Sequence, residues 1–370
     1  MKIALVHDYL GDFGGAERVL KALSEIYPKA PIYAIFFKKN SPCWREFKDK
    51  KVIQSWFSYL PFCDRLISPL RFLIPFIWAS FDFSNYDLVI TSASWAITKG
   101  MPNAKLEICY IHTPPRYLYG YDTSRNWEGK WYSGIIKAYA LIVNHFIRMY
   151  DFTKAQKPDF IIANSLNVAR RVEKFYRRKV DKVVYPPVEV EKFQPKNSKY
   201  NIQNTTYYLS GGRLVSAKNF DLIIKACRKA KVNLKIYGDG ILRPELEKLA
   251  GKEIEFLGRV NDEKLISLYQ NAKAFIIAQK DEDFGITPVE AMAAGTPVIA
   301  FRGGGYTETV TDKTGVFFDE LTVDSLVKAI KKFEKKKFCK KDLLACAQKF
   351  SKERFRKQMT SFIDNLKVVN

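Results

Sequence analysis

The chain has little from which to build a metal centre or a disulfide framework. Its 370 residues include three histidines and six cysteines (Cys43, Cys63, Cys109, Cys227, Cys339 and Cys346), and no two cysteines form a C-x-x-C pair. This scatter suggests neither a zinc site nor a set of disulfides, and fits a reducing, cytoplasmic setting. Long apolar runs are also missing. The segment Leu66 to Phe81 is apolar and aromatic, but Pro69, Arg71 and Pro75 interrupt it, and it falls short of the roughly 20 residues that a spanning helix needs. It reads either as buried core or as a surface lying on a membrane without crossing it. The opening MKIALVHDYLGDFGG runs into His7 and Asp8 with no small-residue cleavage site, so it reads as a first β-strand and not as a signal peptide. Acidic residues are outnumbered: 39 Asp and Glu stand against 61 Lys and Arg, a formal charge of +22.

That charge calls for an anionic partner, whether phosphates of nucleotides or lipid headgroups. Nucleic acid is disfavoured, because there is no zinc-finger spacing and no RNP-like aromatic strand, and the aromatics keep apolar company. The lysine-rich stretch Lys328 to Asp342 reads as a solvated helix face, with a basic membrane-facing surface as the sharper alternative. The remaining composition, 47% hydrophobic and 27% charged, is that of an ordinary globular protein long enough for two domains.

Short β-branched or aromatic runs (residues 2–7, 86–92, 105–112 and 159–165) alternate with helix-like segments, which predicts an α/β fold with parallel sheets. Ile135, Tyr139, Ile142, Val143, Phe146 and Tyr150 recur at helical spacing. Their stripe reads as core or, with Lys137 and Arg148 beside it, as a surface for a lipid-like acceptor. Pro186-Pro187 and the polar stretch that follows mark a domain boundary. The expected division is 1–187, joined by a closing helix from about 351 to 370, and 188–350.

Within the second half, the strand TYYLS runs into Gly211-Gly212-Arg213 and then Lys218, just past a strand end, where α/β sheets bind ligands. Two cations at a helix entry suit a diphosphate, although a glycine turn with surface charges would look the same. Further on, DEDFGITPVEAMAAG sets Glu282 and Glu290 eight residues apart around a Phe284-Gly285-Ile286 turn. A helix starting there leaves the amides of Gly285, Ile286 and Thr287 without helical partners, and Pro288 suits the first turn. Two carboxylates at such a pocket can accept hydrogen bonds from sugar hydroxyls, with Glu290 suited to a ribose and Glu282 to a hexose.

These residues resemble the E-x7-E signature of retaining glycosyltransferase family 4, whose fold is GT-B. GGAERVL, YIHTPPRY (110–117), IIANS (161–165), VVYPPV, GGRLVSAKNFD, IYGDG and FLGRV follow the same family in order. IHTPPRY together with EDFGITPVEA is most similar to GDP-mannose-dependent mannosyltransferases of cell-surface polysaccharide assembly. The resemblance implies two Rossmann-like domains whose sheets face across a central cleft. The first would hold an acceptor and the second a nucleotide-sugar donor, GDP-mannose by that likeness, used as a co-substrate with no other cofactor.

It further implies Arg213 and Lys218 on the donor diphosphate, Glu282 and His112 at the reacting sugar, and Glu290 on the ribose. Backbone from Phe284 to Thr287 would reach sugar and phosphate, Gly238, Arg259 and Val260 would line the base, and Gly14 and Gly15 would permit close approach. Arg116, Tyr117, Asp122 and Asp8 are candidates for seating the acceptor, although RYLYGYD departs from the family, whose members usually carry a tryptophan before that aspartate. The D-x-D string at Asp281 and Asp283 could hold a divalent metal elsewhere. Here Arg213 and Lys218 can neutralise the diphosphate, so no metal is expected. A lipid-linked saccharide acceptor and a peripheral position on the inner, anionic face of the cell membrane complete the expectation.

Overall fold

The computed structural model describes residues 1–121, 133–194 and 206–369. They divide into two compact units, one made of residues 1–121, 133–187 and 355–369, the other of 188–194 and 206–354. Each unit is built on a parallel sheet. In the first, β1 (Ile3–His7), β2 (Ile32–Ala34), β3 (Val52–Gln54), β4 (Leu88–Ala93), β5 (Glu107–Ile111), β6 (Phe160–Ala163) and β7 (Lys182–Val183) lie in the order β3-β2-β1-β4-β5-β6-β7. In the second, β8 (Tyr207–Gly211), β9 (Asn233–Tyr237), β10 (Ile254–Gly258), β11 (Phe275–Ile277), β12 (Val298–Phe301) and β13 (Gly315–Phe318) lie in the order β10-β9-β8-β11-β12-β13.

The sequence dictates this layering. β4 (LVITSA) and β5 (EICYI) are buried at every position, as strands covered by helices on both faces must be. The helices between them are amphipathic and capped. Glu17 accepts from the amide of Gly14 at 2.8 Å to start the Gly15–Ile26 helix, and Ser165 accepts from Val168 to start Leu166–Tyr176. The lysine-rich stretch sits as the solvated-face reading has it. Lys328, Lys331 and Lys332 are exposed on the Val323–Glu334 helix, while Leu326, Ile330 and Phe333 are buried in the second unit's core. From the closing helix, Lys352–Val369, the side chains of Phe355, Met359 and Ile363 enter the first unit's core with Tyr110 and Ile162.

Both sheets reverse strand order at one point, between β1 and β4 in the first and between β8 and β11 in the second. Loops leaving adjacent strands at such a point diverge to opposite faces and open a crevice at the strands' C-terminal ends.

The segment Leu66 to Phe81 divides by burial. Ile74, Ile77 and Trp78 are buried, whereas Phe72 and Phe76 are 42% and 66% exposed. The stripe on the long Ser133–Ala155 helix divides as well, and not along the expected line. Val143, Ile147 and Tyr150 pack into the core, but Ile142 and Phe146 are 59% and 60% exposed, beside Leu141 at 78%. No helix among the described residues is long and apolar enough to cross a membrane.

Candidate functional site

In the second unit every loop that carries a proposed donor residue leaves the C-terminal end of a strand: β8 leads to 212–219, β9 to 238–240, β10 to 259–260 and β11 to 279–286. Backbone contact knits the first two loops together. The amide of Gly212 donates to the Tyr237 carbonyl at 3.0 Å, and that of Leu214 to the Asp239 carbonyl at 3.0 Å. The approach is so close that a Cβ at Gly238, where φ is +104°, would stand 1.9 Å from the Gly212 carbonyl oxygen. Only glycine fits there.

Lys218 closes the Ser216–Lys218 turn, and its Nζ lies 2.9 Å from where a Gly212 Cβ would be. Its ammonium feels a dense set of charges. Burial pushes its pKa below the ordinary lysine range, the Glu282 carboxylate opposes that, the Arg213 cation adds to it, and Glu290 opposes it again. The structure thus brings Arg213, Lys218, Glu282 and Glu290 into one electrostatic neighbourhood. Arg213 is exposed and Lys218 half-buried.

Gly285, at φ +93°, caps the Ile286–Ala293 helix, so the helix begins where the free amides were expected. Ile286 and Thr287 are partly exposed, but the Phe284 ring is buried against Phe350, which leaves only its backbone to face a ligand. Glu290 is buried, and its Oε2 accepts from the Tyr269 hydroxyl at 3.3 Å, which in turn lies 2.7 Å from the Tyr237 hydroxyl. Arg259 is exposed, 3.9 Å from the Asp239 carboxylate, and Val260 is half-buried.

Several neighbours of these residues escaped the sequence reading. The loop after β12 carries Gly303-Gly304-Gly305-Tyr306. The Gly305 amide donates to the Glu282 carbonyl at 2.9 Å, and the Tyr306 hydroxyl to Glu282 Oε2 at 3.3 Å. A glycine run just past the apolar run TPVIAF was the available signal. Gln279, two residues past β11, is buried, and its Oε1 is the only buried side-chain nitrogen or oxygen without a hydrogen-bond partner among the described residues. Such an orphan acceptor costs about 1–3 kcal/mol.

The first unit places His112 just after β5, buried to 7% exposure, with Nε2 2.8 Å from Ser92 Oγ. One expectation needs correcting here. Asp8 does not present its carboxylate to an acceptor: Oδ2 accepts from the Trp95 amide at 2.5 Å and Oδ1 from the Thr98 hydroxyl, so it shapes the 95–98 loop. Near it, Glu17 accepts from the Gly14 amide, and Gly15 is the first residue of the helix. Arg116 and Tyr117 begin a short 3-10 turn, with the Tyr117 ring 5.1 Å from that of Trp95. Asp122 lies outside the described residues.

Two α/β units, each with a parallel sheet, are the architecture of GT-B glycosyltransferases. HepE of Anabaena, solved with UDP and glucose, superposes with a TM-score of 0.71 over 98% of this chain and 99% of its own, at 19% identity, which speaks for the fold. Residues 192–353, the unit that holds the two glutamates, match the family described as glycosyl transferases group 1. Among curated relatives, the GDP-mannose-dependent monoacylated alpha-(1-6)-phosphatidylinositol monomannoside mannosyltransferase of Corynebacterium glutamicum is 31% identical over 40% of this chain and 43% of its own. The alpha-1,3/1,6-mannosyltransferase ALG2 of Rhizomucor pusillus is 25% identical over 85% of this chain and 79% of its own. Matches to two uncharacterized glycosyltransferases of Methanocaldococcus jannaschii and to a D-inositol 3-phosphate glycosyltransferase of Streptomyces scabiei span 33%, 28% and 42% of those proteins.

Proposed function

We propose that the protein is a retaining hexosyltransferase that moves mannose from GDP-mannose to a saccharide acceptor held on a lipid. The observation that carries the proposal is the cluster of Arg213, Lys218, Glu282 and Glu290 at the switch point of the second sheet, beside the free amides at Ile286 and Thr287. Cleavage of the anomeric C–O bond leaves negative charge on the departing diphosphate and positive charge on the sugar ring. Fixed cations and amides at the phosphate stabilise that separation without reorganising. With Arg213 and Lys218 in this role, the reaction needs no metal. Glu282, held by Tyr306, accepts from the hexose, Glu290 from the ribose, and the open Gln279 Oε1 is a further acceptor for a sugar hydroxyl. The acceptor hydroxyl attacks from the face the leaving group departs, giving its proton to the leaving phosphate, and His112 orients it.

Mannose rests on the two mannosyltransferases among the relatives and on the IHTPPRY and EDFGITPVEA motifs. A UDP-sugar is the second reading, favoured by the likeness to HepE, which was solved with UDP and glucose. Thermal-shift measurements across a panel of nucleotide sugars decide between them, since a ligand at 100 times its Kd adds about 2.7 kcal/mol to stability. Transfer assays with the best donor follow. Stabilisation by nucleic acid and by no nucleotide sugar would overturn the proposal.

The acceptor side is proposed to face an anionic membrane through the outer face of the Ser133–Ala155 helix. There Leu141, Ile142, Phe146 and Met149 are exposed with Lys137 and Arg148 beside them, on a chain of charge +22.

A further inference from the structure

Behind His112 the first unit contains a row of hydrogen-bonding side chains that the transfer reaction as described does not use. β1, β4 and β5 are adjacent, and their register sets His7 opposite Ser92 and brings His112, one residue past β5, beside both. His7 Nδ1 lies 3.0 Å from Ser92 Oγ, and Ser92 Oγ lies 2.8 Å from His112 Nε2. At the far end His7 Nε2 lies 3.5 Å from Glu17 Oε1, and the other Glu17 oxygen is held by the Gly14 amide. His7, Ser92 and His112 are all buried. No hydrogen bond among the described residues reaches His112 Nδ1.

We infer that Glu17, His7 and Ser92 are positioning residues that decide whether the open nitrogen of His112 donates or accepts a hydrogen bond. This rests on the reading above, in which His112 orients the acceptor hydroxyl. The reason is that the Ser92 hydroxyl has one hydrogen to share between two rings. When His7 is protonated, Nδ1–H donates to Ser92, Ser92 donates to His112 Nε2, and neutral His112 carries its proton on Nδ1 as a donor. When His7 is neutral, Glu17 keeps the remaining proton on Nε2, and bare Nδ1 accepts from Ser92. Ser92 then accepts from His112 Nε2–H, and His112 Nδ1 becomes an acceptor. The proton lost by His7 goes to solvent, and the single proton of His112 changes nitrogen by exchange with water. Only a bare Nδ1 can take a hydrogen bond from the attacking hydroxyl and turn its lone pair toward the sugar.

The charges facing the row agree with this division. Burial lowers the pKa of His7, but the hydrogen bond and charge of Glu17 from the first helix and the charge of Asp8 outweigh it, so His7 titrates above the ordinary histidine range. Burial and the charge of His7 push His112 down to about 3, against a weaker pull from Glu17, so it stays neutral.

Histidine ring 15N spectra test the proposal in the full-length protein without any substrate, with only His7, His112 and His145 to assign. As pH rises through the His7 midpoint, the two nitrogens of His112 should exchange their pyrrole-type and pyridine-type signals. In Ser92→Ala, His7 still titrates but the His112 pattern no longer follows it, and Ser92→Thr restores the coupling. A His112 tautomer that ignores the His7 titration in the wild type overturns the relay. For transfer, kcat/KM should rise about tenfold per pH unit below the His7 midpoint and then level. Ser92→Ala should lose that inflection while the donor-induced shift in Tm is kept. An inflection that survives in Ser92→Ala overturns the positioning role. Coupled spectra in a protein that transfers no sugar would keep the relay and reject the proposed reaction instead.

Discussion

Tyr306 donates its hydroxyl to Glu282 Oε2 at 3.3 Å, from a loop whose Gly305 amide also donates to the Glu282 carbonyl. Glu282 is therefore held at both its backbone and its carboxylate by the segment that follows β12. The contact is close throughout: a Cβ at Gly304 would stand 2.4 Å from the Glu282 carbonyl oxygen. Tyr306→Phe removes one hydrogen bond and leaves the ring against Gly285. The expected loss is about 0.5–1.5 kcal/mol, or roughly 2- to 10-fold in kcat/KM, with Tm little changed. Steady-state kinetics beside a melting curve checks it, and unchanged kcat/KM would show that the carboxylate needs no such support.

Arg213 and Lys218 should act on the donor and not on the fold. Charge-assisted hydrogen bonds contribute about 1.5–3 kcal/mol each, so the double variant Arg213→Ala/Lys218→Ala should weaken nucleoside diphosphate binding by at least ~100-fold. Titration calorimetry with the preferred nucleoside diphosphate measures this. Donor binding at the wild-type Kd removes the diphosphate assignment. Glu282→Ala should lower transfer while nucleoside diphosphate still binds, and full activity in that variant removes the role given to the first glutamate.

Gly238→Ala tests the backbone crossing beneath the site. The added methyl meets a carbonyl oxygen at a distance no real contact adopts, and the position also has positive φ. With strain of about 1–3 kcal/mol for the backbone and as much again for the clash, the second unit should unfold at distinctly lower urea concentration. Wild-type denaturation would mean that the two loops part easily.

Glu107 gives a pH dependence of stability whose sign can be worked out. Burial raises its pKa to about 7, against hydrogen bonds from the Met101 and Gly100 amides and Thr91. The folded state then binds a proton that the unfolded state has released, between the ordinary glutamate value and about 7. Its contribution is fully present below that ordinary value and is lost as pH climbs through about 7, on the order of 3 kcal/mol in total. Urea denaturation of Glu107→Gln at a series of pH values should show a flatter slope across this window than the wild type does. Equal slopes would count against the shift.

Leu141→Asp/Phe146→Asp places two charges on the outer face of the Ser133–Ala155 helix, away from Val143, Ile147 and Tyr150 in the core. Each lost apolar side chain is worth about 1.5–3 kcal/mol of burial, so co-sedimentation with anionic vesicles should fall at least ~10-fold while Tm holds. Wild-type protein that ignores anionic vesicles at low salt would end the membrane reading.

Much of this was legible in the order of residues, for reasons particular to each place. The parallel strands announce themselves as short apolar runs because helices cover both their faces, and the Ile286–Ala293 helix announces its start through the glycine and proline that a helix N-terminus favours. The cluster at Arg213 and Glu282 could be placed because each residue follows a strand end, and strand ends in such sheets converge. By contrast, nothing in the local sequence shows what Asp8, a candidate for seating the acceptor, is bonded to. Its partners, Trp95 and Thr98, stand 87 and 90 residues away and leave no local trace. The stripe on the long helix stayed open between two readings for a related reason: apolar residues occur around much of its circumference, and periodicity cannot tell a face that meets the core from one that meets solvent.

What the sequence determined by itself is the set of local decisions: alternation of strand and helix, glycine where backbones must touch, and two glutamates at a fixed spacing across a helix start. Only the tertiary structure decided which distant groups meet, because those meetings depend on strand order. Placing β12 beside β11 is what hands Glu282 to Tyr306, and placing β4 between β1 and β5 is what puts the Ser92 hydroxyl between His7 and His112.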